Sequence, residues 1–508
     1  MSLATLHSAY KVSLLATVVL LLALIQGTST TLSLVYNLAP SLEPAISALW
    51  GLTYLLAIVG LLMNFGINWI TWLVRYRLLL TILLIGTAFS AMWSFDTALT
   101  MERTVHLFGS TLIAFYIGFT IPLTRILTVT AIVFSTLMAI SIVAAIALPD
   151  VGIENYEGKD VWRGVMASKN TLGFWSAMTV LACAVSMGNA QTLGKKGLCF
   201  LGMAFGLTAL VFSSSATSLL ALVVSGLVMS YLYVAFRFNL GLISTLVLGV
   251  LCTILIGFAF YNINTAELIG RSSDLTGRGD VWQQTWDLIL EKPLTGFGYG
   301  TIWYPTPDSL RIQQELTDFS WVVYHAHNGL LQLASEIGIP LTALAVLMIV
   351  QQLIEIVYCQ YQRQQAGVLF VLGFMVALLI SNYSEARLVV NRELYWIFFV
   401  ALPISMLQQV TVKATGAQFY PMPAHLHKRT REKQATNATD REHRQELKRR
   451  LKSRYDEQSG NDESVIEGVS AVSGSERAMT IPTDEQLDEQ IDEQRERKLS
   501  RRQKKTGS

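Results

Sequence analysis

The chain has 508 residues, of which 52% are hydrophobic and 15% charged, with a formal net charge of +2. Apolar runs of about 17 to 25 residues, each long enough to cross a bilayer, recur between Lys11 and Val410. The sequence after Lys413 is instead rich in charged residues and glutamine. This distribution excludes a soluble globular protein and predicts a polytopic membrane protein with a hydrophilic C-terminal extension.

The apolar runs predict an all-α fold with about twelve transmembrane helices, because a helix satisfies its own backbone hydrogen bonds in lipid. No Ala-x-Ala cleavage pattern follows the first run, which is therefore interpreted as an uncleaved span and not as a signal peptide. The spans are expected near residues 12–27, 45–66, 77–94, 104–121, 124–148, 171–187, 197–213, 217–236, 239–261, 329–357, 366–382 and 394–410.

Basic residues in the short loops predict the orientation of these spans. They fall in alternate loops, on the same side as Lys11 and the basic tail, and the positive-inside rule therefore places both termini in the cytoplasm. The basic loop residues are Arg75, Arg77, Arg125, Lys195, Lys196, Arg237 and Arg363. Residues 1–411 are thus predicted to form a transmembrane domain, and residues 412–508 a charged cytoplasmic tail that is disordered or partly helical.

The predicted outer loop 149–170 departs from the charge pattern, because it carries Arg163 and Lys169 just before the sixth span. The planar fork of an arginine can bond two oxygens at once, which suits a diphosphate. The alternative is that each of these residues contacts a lipid headgroup. Either interpretation puts a phosphate-binding charge at the outer membrane surface.

Residues 262–328, between the ninth and tenth spans, form the one large extracytoplasmic loop. A stripe of tryptophan and aliphatic residues after Arg278 predicts a short interfacial helix, which Asp280 caps and Pro293 ends. That helix would hold Arg278 just above the membrane, for a lipid-linked pyrophosphate or for a lipid phosphate. The glycine-rich stretch 296–300 follows no strand and is interpreted as a turn.

Two histidines, His325 and His327, stand where the large loop returns to the membrane. Imidazole titrates near neutral pH, so it can accept a hydroxyl proton. Asn328 and Gln332 are candidates to orient the ring or a sugar. A capping role at a helix start and a His-x-His metal site are the alternatives, although no cysteine or carboxylate stands at ligand spacing nearby.

The short outer loop after the eleventh span carries four charges, Glu385, Arg387, Arg392 and Glu393. Charges so close to hydrocarbon often pair with one another, which is the structural interpretation. The functional interpretation is that Glu385 contacts substrate.

Five segments, in this order, resemble the O-antigen ligase/polymerase family and particularly its exopolysaccharide-polymerase branch. The resemblance runs through roughly residues 10 to 410. The segments are SFDTALTMERT, RGVMASKNTLGFW, TGRGDVWQQTWDLILEKPLTGFGYG, HAHNGLLQLASEIGIP and NYSEARL.

The resemblance implies a glycosyltransferase of the bacterial cytoplasmic (inner) membrane that needs no cofactor and no metal. Its donor would be an undecaprenyl-diphosphate-linked oligosaccharide. The glycan acceptor would be another lipid-linked repeat unit in a polymerase, or lipid A–core in a ligase. Membrane lipids are expected partners, as are other polysaccharide-assembly proteins through the tail; nucleic acid is not.

The resemblance also implies roles for single residues. His327 would promote attack by the acceptor hydroxyl, with His325 as a helper. Relatives often have Lys or Arg in a motif that opens the eighth span, where this chain has Ala216 within SSSATS, and Lys169 is a candidate to supply the missing phosphate contact. The arginines implied to hold the diphosphate are Arg163, Arg278 and, in TMERT, Arg103.

Two other classes of function stay open at this stage. Twelve spans are also typical of secondary carriers, and proteins of the same family have been proposed in inorganic-carbon transport. Ionisable residues gather on the outer rim and not in mid-membrane, which favours surface chemistry over a permeation path. An inactive scaffold of a polysaccharide-assembly complex is the third possibility.

Overall fold

The computed structural model describes residues 3–28, 41, 43–156, 158–238, 278–316, 323–363, 366–415 and 446. The predicted ninth span, 239–261, lies outside these residues, as do the first part of the large loop and nearly all of the tail. The count of twelve spans and the domain boundary at 411/412 therefore stay predictions. The chain divides into two units, Met1–Pro421 and Met422–Ser508, and only the first is described in any length.

The first unit is built mainly of helices, most of them apolar. The helices before the first outer loop are α1 Leu3–Gln26, α2 Glu43–Phe65, α3 Asn68–Tyr76, α4 Leu78–Phe89, α5 Thr97–Thr120 and α6 Leu123–Ala147. Those that follow are α7 Pro149–Gly152, α8 Lys169–Gly188, α9 Leu193–Phe212, α10 Ala216–Arg237, α11 Arg278–Glu291, α12 Pro307–Leu316, α13 Gly329–Arg363, α14 Ala366–Ser384 and α15 Leu394–Thr415.

Polar side chains fix several of the helix starts. Asp96 Oδ1 accepts a hydrogen bond from the backbone N of Leu99, 2.9 Å away, at the start of α5. Ser168 Oγ accepts one from the backbone N of Thr171, 3.2 Å away, at the start of α8. Each cap satisfies a backbone donor that the first turn of a helix leaves without a partner.

Seven of the described helices are long and apolar enough to cross a membrane, and the bent pair α3–α4 makes an eighth if it counts as one span. The chain is therefore a polytopic membrane protein. These seven helices match the predicted spans 45–66, 124–148, 171–187, 197–213, 217–236, 329–357 and 366–382.

The predicted span 77–94 corresponds to α4 and the 3-10 turn Ser90–Met92 that follows it, but the structure adds a sharp bend before it. α3 and α4 meet at an angle of 102°, and Arg77 lies at the bend. Arg77 was expected in a short basic loop on the cytoplasmic side. It is buried at the bend, with Nη1 2.6 Å from Glu355 Oε1 in α13. This burial was not predicted because the partner of Arg77 lies far away in the sequence.

α8 lies in the centre of the bundle, in contact with α6, α9, α10 and α14. Its fully buried Phe174 and Trp175 both contact Tyr395 of α15, with ring centroids 4.8 Å apart in each pair. This aromatic cluster fixes the first turns of α8 relative to α15. It lies close to the candidate site described below.

An antiparallel hairpin, absent from the predicted elements, precedes α8. β1 Ile153–Tyr156 pairs with β2 Lys159–Trp162, and Glu154 stands opposite Val161. Each strand has four residues, too few for an alternating pattern to stand out in the sequence.

α13 is interrupted at Gly338, where φ is 80° and ψ is 166°, and Pro340 follows. The glycine-rich stretch 296–300 packs against this interruption. The backbone N of Phe297 donates to Ser335 O, and that of Gly298 to Glu336 O, each at 2.9 Å. All three glycines of the stretch have positive φ, which confirms the predicted turn.

Candidate functional site

The candidate site lies where the first turn of α13 meets α11 and the end of α14. Asn328 Oδ1 caps α13 by accepting hydrogen bonds from the backbone N of Leu330 at 3.0 Å and of Leu331 at 3.1 Å. Its Nδ2 donates to Tyr383 O in α14, 3.4 Å away. The amide of Asn328 therefore fixes the position of the chain just after the two histidines.

Gly329 allows α13 and α14 to approach closely. A Cβ at Gly329 would lie 1.9 Å from Asn382 Oδ1. Asn382 Oδ1 in turn accepts hydrogen bonds from the backbone N of Arg387 at 3.0 Å and of Leu388 at 2.9 Å. One short contact thus links the histidine segment to the turn that carries Glu385 and Arg387.

The imidazoles of His325 and His327 lie together, with ring centroids 3.9 Å apart. His327 has a φ of 49°, a left-handed conformation that is rare for residues other than glycine. Trp282 Nε1 in α11 donates to His327 O at 3.3 Å, and the Trp282 ring packs edge-on against Tyr383. α11 therefore holds the backbone of His327 in this strained conformation.

A backbone hydrogen bond selects the tautomer of His325. The backbone N of His327 donates to His325 Nδ1 at 3.3 Å. Because Nδ1 accepts this bond, a neutral His325 ring carries its proton on Nε2. The Nε2 atom of His325 is then a hydrogen-bond donor.

Glu385 joins the two histidines. One ligand-type atom from each of His325, His327 and Glu385 lies within 4.8 Å of the others. The sequence indicated no carboxylate near the histidines, and that expectation was wrong, because Glu385 approaches from α14 far along the chain. Two imidazoles and one carboxylate therefore form a cluster, which we call the His–Glu cluster.

Two polar residues hold Glu385 in place. Asn170 Nδ2, in the first turn of α8, donates to Glu385 Oε1 at 2.7 Å. Ser215 Oγ, just before α10, donates to Asn170 Oδ1 at 3.1 Å and lies 2.9 Å from Ser218 Oγ. The His–Glu cluster is thus supported from a different pair of helices, α8 and α10.

Two histidines and a carboxylate are also a donor set that divalent metals use. The tautomer of His325 argues against such a site, since a protonated Nε2 has no lone pair to give. The arrangement suits proton transfer better, because a carboxylate beside imidazoles stabilises the charged ring that a transferred proton creates.

Arg387 adds a permanent positive charge beside Glu385. Its guanidinium carbon lies 4.6 Å from the centroid of the Tyr395 ring. Burial disfavours the charged form of Arg387. The nearby Tyr395, Glu385 and Glu393 favour it, and the net effect raises the pKa of the guanidinium above its ordinary value.

The arginine and lysine predicted in loop 149–170 lie in the segment that leads into α8. Arg163 Nε donates to Val151 O at 2.9 Å, and Nη2 donates to Asp150 O at 3.1 Å. Lys169 is buried, with Nζ 3.3 Å from the centroid of the Tyr156 ring. Both cations contribute to the packing of this segment, and their contacts with a substrate stay predictions.

The other two predicted arginines lie elsewhere. The guanidinium of Arg103 in α5 packs over the Tyr304 ring at 4.3 Å. Arg278 begins α11, and its side chain lies outside the described residues. Asp280 was expected to cap this helix, but the helix begins two residues earlier. Asp280 therefore lies in the first turn of α11, where its negative charge interacts favourably with the positive end of the helix dipole.

Asn170 and Ser215 were missed by the sequence-based prediction, although both lie in stretches that it examined. Asn170 belongs to the segment RGVMASKNTLGFW, and Ser215 to SSSATS. A polar residue just inside an otherwise apolar helix was the available signal for Asn170. Its partner Glu385 is far away in the sequence, so the pairing itself was not visible.

Comparison with known proteins finds a family model and a curated relative that each match part of the chain. A family model described as O-Antigen ligase matches residues 201–346, which include α10, α11 and both histidines. The exopolysaccharide production protein ExoQ of Rhizobium meliloti (strain 1021) is 31% identical over 195 residues. Both matches support a relationship between this chain and the O-antigen ligase/polymerase family.

The ExoQ match covers 36% of this chain and 44% of the relative, so the chain spans less than half the length of that curated relative. The family model covers only part of the candidate site. His325 and His327 lie inside the region that the family model matches, whereas Asn170 and Glu385 lie outside it.

Proposed function

We propose that this chain is a glycosyltransferase that polymerises undecaprenyl-diphosphate-linked glycan repeat units during exopolysaccharide synthesis. The observation that carries the proposal is the His–Glu cluster at the start of α13. An acid–base group at the end of a membrane bundle suits a donor that is anchored in lipid. The printed name of the ExoQ relative, an exopolysaccharide production protein, favours a polymerase over a ligase.

The reaction is a direct displacement at the anomeric carbon of the donor sugar. The acceptor hydroxyl oxygen forms a bond to that carbon, and the bond from the carbon to the diphosphate oxygen breaks. The hydroxyl proton passes to His327, and undecaprenyl diphosphate leaves with the bonding electron pair. Glu385 stabilises the imidazolium that forms, and His325 contributes a donor to the same cluster.

The leaving diphosphate needs positive charge, because its negative charge grows as the bond breaks. The family resemblance assigns this role to Arg163 and Arg278. Two backbone carbonyls fix the direction of the Arg163 guanidinium, which supports a positioned cation. We place the site on the extracytoplasmic face of the bacterial cytoplasmic membrane, from the distribution of basic residues in the loops.

Deletion of the protein from its host tests this function. The polymerase proposal predicts that single lipid-linked repeat units accumulate and that surface polymer disappears, as measured by mass spectrometry of lipid extracts and by gel analysis of polysaccharide. Expression of the wild-type chain should restore the polymer. His327→Ala at the same protein level should not.

Two other outcomes would contradict the proposal. Long lipid-linked polymer that never reaches its acceptor would indicate a ligase that transfers glycan to lipid A–core. Unchanged lipid-linked and surface glycans would exclude the enzyme and favour a transporter or a scaffold.

A further inference from the structure

Arg387 has the properties of a diphosphate-binding residue, although the sequence indicated only a structural charge there. We propose that its guanidinium binds the diphosphate of the lipid-linked donor beside the His–Glu cluster. The inference rests on the proposed function and adds a binding residue to it. Arg387 would be a cation in the part of the site that the structure describes, whereas the side chain of Arg278 lies outside the described residues.

The position of Arg387 follows from its neighbours. It interacts electrostatically with Glu385, and Glu385 belongs to the cluster with His325 and His327. The backbone of Arg387 is held by Asn382, which is in contact with Gly329 next to the histidine segment. A phosphate bound to Arg387 would therefore lie close to the group that accepts the proton.

The guanidinium of Arg387 packs against an aromatic ring, and its N–H groups have no hydrogen-bond acceptor among the described residues. The ring of Tyr395 covers one face, with the guanidinium carbon 4.6 Å from the ring centroid. Nε is buried and has no hydrogen-bond partner among the residues that the structure describes. Among the described residues, no protein atom accepts a hydrogen bond from Nη1 or Nη2 of Arg387 and no carboxylate lies within ion-pair distance of it.

An arginine in this state suits a diphosphate for two reasons. Its fork can bond two phosphate oxygens at once, and a fixed side chain loses little conformational entropy on binding. A buried donor without an acceptor is costly, and a ligand oxygen would remove that cost. The raised pKa of Arg387 keeps the charge in place at any pH at which the protein functions.

Other charged groups near the histidines are engaged or exposed. Glu385 accepts a hydrogen bond from Asn170, and the buried Glu336 accepts one from Gln332 within α13. Asp280 and Asp287 of α11 are exposed. Glu385 and Glu393 interact electrostatically with Arg387, but neither forms an ion pair with it in the described ranges. A phosphate would therefore not have to displace a direct ion pair of Arg387.

Arg392 offers a matched control on the same loop. Its backbone N donates to Ser110 Oγ at 3.1 Å, and its Nη2 donates to Ser47 Oγ at 3.4 Å. It is therefore directed toward α5 and α2, away from the His–Glu cluster. A substitution of Arg392 removes the same charge from the same loop without removing the proposed phosphate contact.

The test measures binding of undecaprenyl diphosphate and undecaprenyl phosphate to the full chain in phosphatidylcholine nanodiscs. Arg387→Gln should weaken undecaprenyl diphosphate binding by about 10- to 100-fold. Arg387→Lys, which keeps the charge but loses the fork, should lower the preference for diphosphate over monophosphate. Arg392→Gln should bind both lipids like the wild type.

Equal binding by Arg387→Gln and Arg392→Gln would overturn the inference while the proposed function stands. The ratio of diphosphate to monophosphate affinity does not depend on the folded fraction, so an unchanged ratio in Arg387→Lys would overturn it as well. A further outcome is that phosphatidylglycerol competes with the polyprenyl lipids for the wild type but not for Arg387→Gln. That result would instead assign Arg387 to binding of a phospholipid headgroup. A wild-type chain that binds neither polyprenyl lipid would contradict the proposed function itself.

Discussion

At the scale of single residues, the site depends on one carboxylate held between two histidines and an amide. Asn170 Nδ2 fixes Glu385 Oε1 at 2.7 Å, and the other side of Glu385 lies against His325 and His327. The carboxylate does not need to touch the substrate to matter. We propose that it orients an imidazole and stabilises the positive charge that would arise there.

Glu385→Gln tests this positioning role. The amide keeps the size of the side chain but removes the negative charge, so we expect transfer activity to fall by about 10- to 100-fold with a smaller change in KM. The acid limb of the pH–rate profile should move to lower pH, because the imidazolium loses the neighbouring charge that stabilises it. Steady-state assays over a pH series measure both effects.

Glu291→Gln is the control, since Glu291 is exposed at the end of α11. It should leave both the rate and the pH profile unchanged. If Glu385 had only a structural role, Glu385→Gln would lower the activity at every pH without moving the acid limb of the pH–rate profile. That result would contradict the positioning role.

At the scale of the elements, the site requires the start of α13 to lie directly against the end of α14. Gly329 permits this contact, and the interruption at Gly338 gives the short first segment of α13 a direction different from the rest. The backbone N of Ile339 donates to Pro293 O at 2.8 Å, which ties the interruption to the end of α11. The geometry of the histidines is therefore set by helix packing and not by a free loop.

Gly329→Ala tests this close approach. The added Cβ would lie 1.9 Å from Asn382 Oδ1, so the two helix ends must separate. We expect a loss of about 1–3 kcal/mol in the free energy of unfolding together with reduced activity. Thermal denaturation in detergent, followed by a transfer assay, measures both.

Gly226→Ala in α10 is the matched control, because a Cβ there meets nothing within 4 Å. Alanine has the higher helix propensity, so this variant should be as stable as the wild type or more stable by up to about 1 kcal/mol. Equal effects of the two substitutions would show that the contact with Asn382 is not needed.

The helices could be predicted from the sequence more completely than the site. Hydropathy located the seven long helices, because each is an uninterrupted apolar run. The site required pairings between distant residues, such as Asn170 with Glu385 and Arg77 with Glu355, which leave no local pattern. The histidines were singled out because two uncommon residues stood together at a predicted membrane boundary. Glu385 was singled out separately, but its proximity to the histidines was not predicted.

At the scale of the whole molecule, a buried ion pair joins the first half of the bundle to the second. Arg77 Nη1 lies 2.6 Å from Glu355 Oε1, and the two side chains are 8% and 19% exposed. Gln351 Nε2 also donates to Glu355 Oε1, at 2.9 Å. The pair fixes the sharp bend between α3 and α4 against α13, the helix whose other end carries the histidines.

Removing one residue of the Arg77–Glu355 pair should lower the free energy of unfolding more than replacing both residues. Glu355→Gln leaves the buried Arg77 guanidinium without its counter-charge. We therefore expect the free energy of unfolding to fall by about 3–5 kcal/mol. The double variant Arg77→Leu, Glu355→Leu should be less destabilised than Glu355→Gln, because no unpaired charge remains buried. Thermal unfolding of Arg77→Leu, of Glu355→Leu and of the double variant measures the coupling between the two residues. Purely additive losses of unfolding free energy would show that the pair contributes nothing.

Transfer by the purified protein tests the central claim most directly. The wild-type chain in nanodiscs, supplied with an undecaprenyl-diphosphate-linked repeat unit, should release undecaprenyl diphosphate and form a ladder of longer lipid-linked glycans. His327→Ala, matched for protein amount and thermal stability, should form neither product. Absence of release by a folded wild-type chain, or equal release by His327→Ala, would contradict the account.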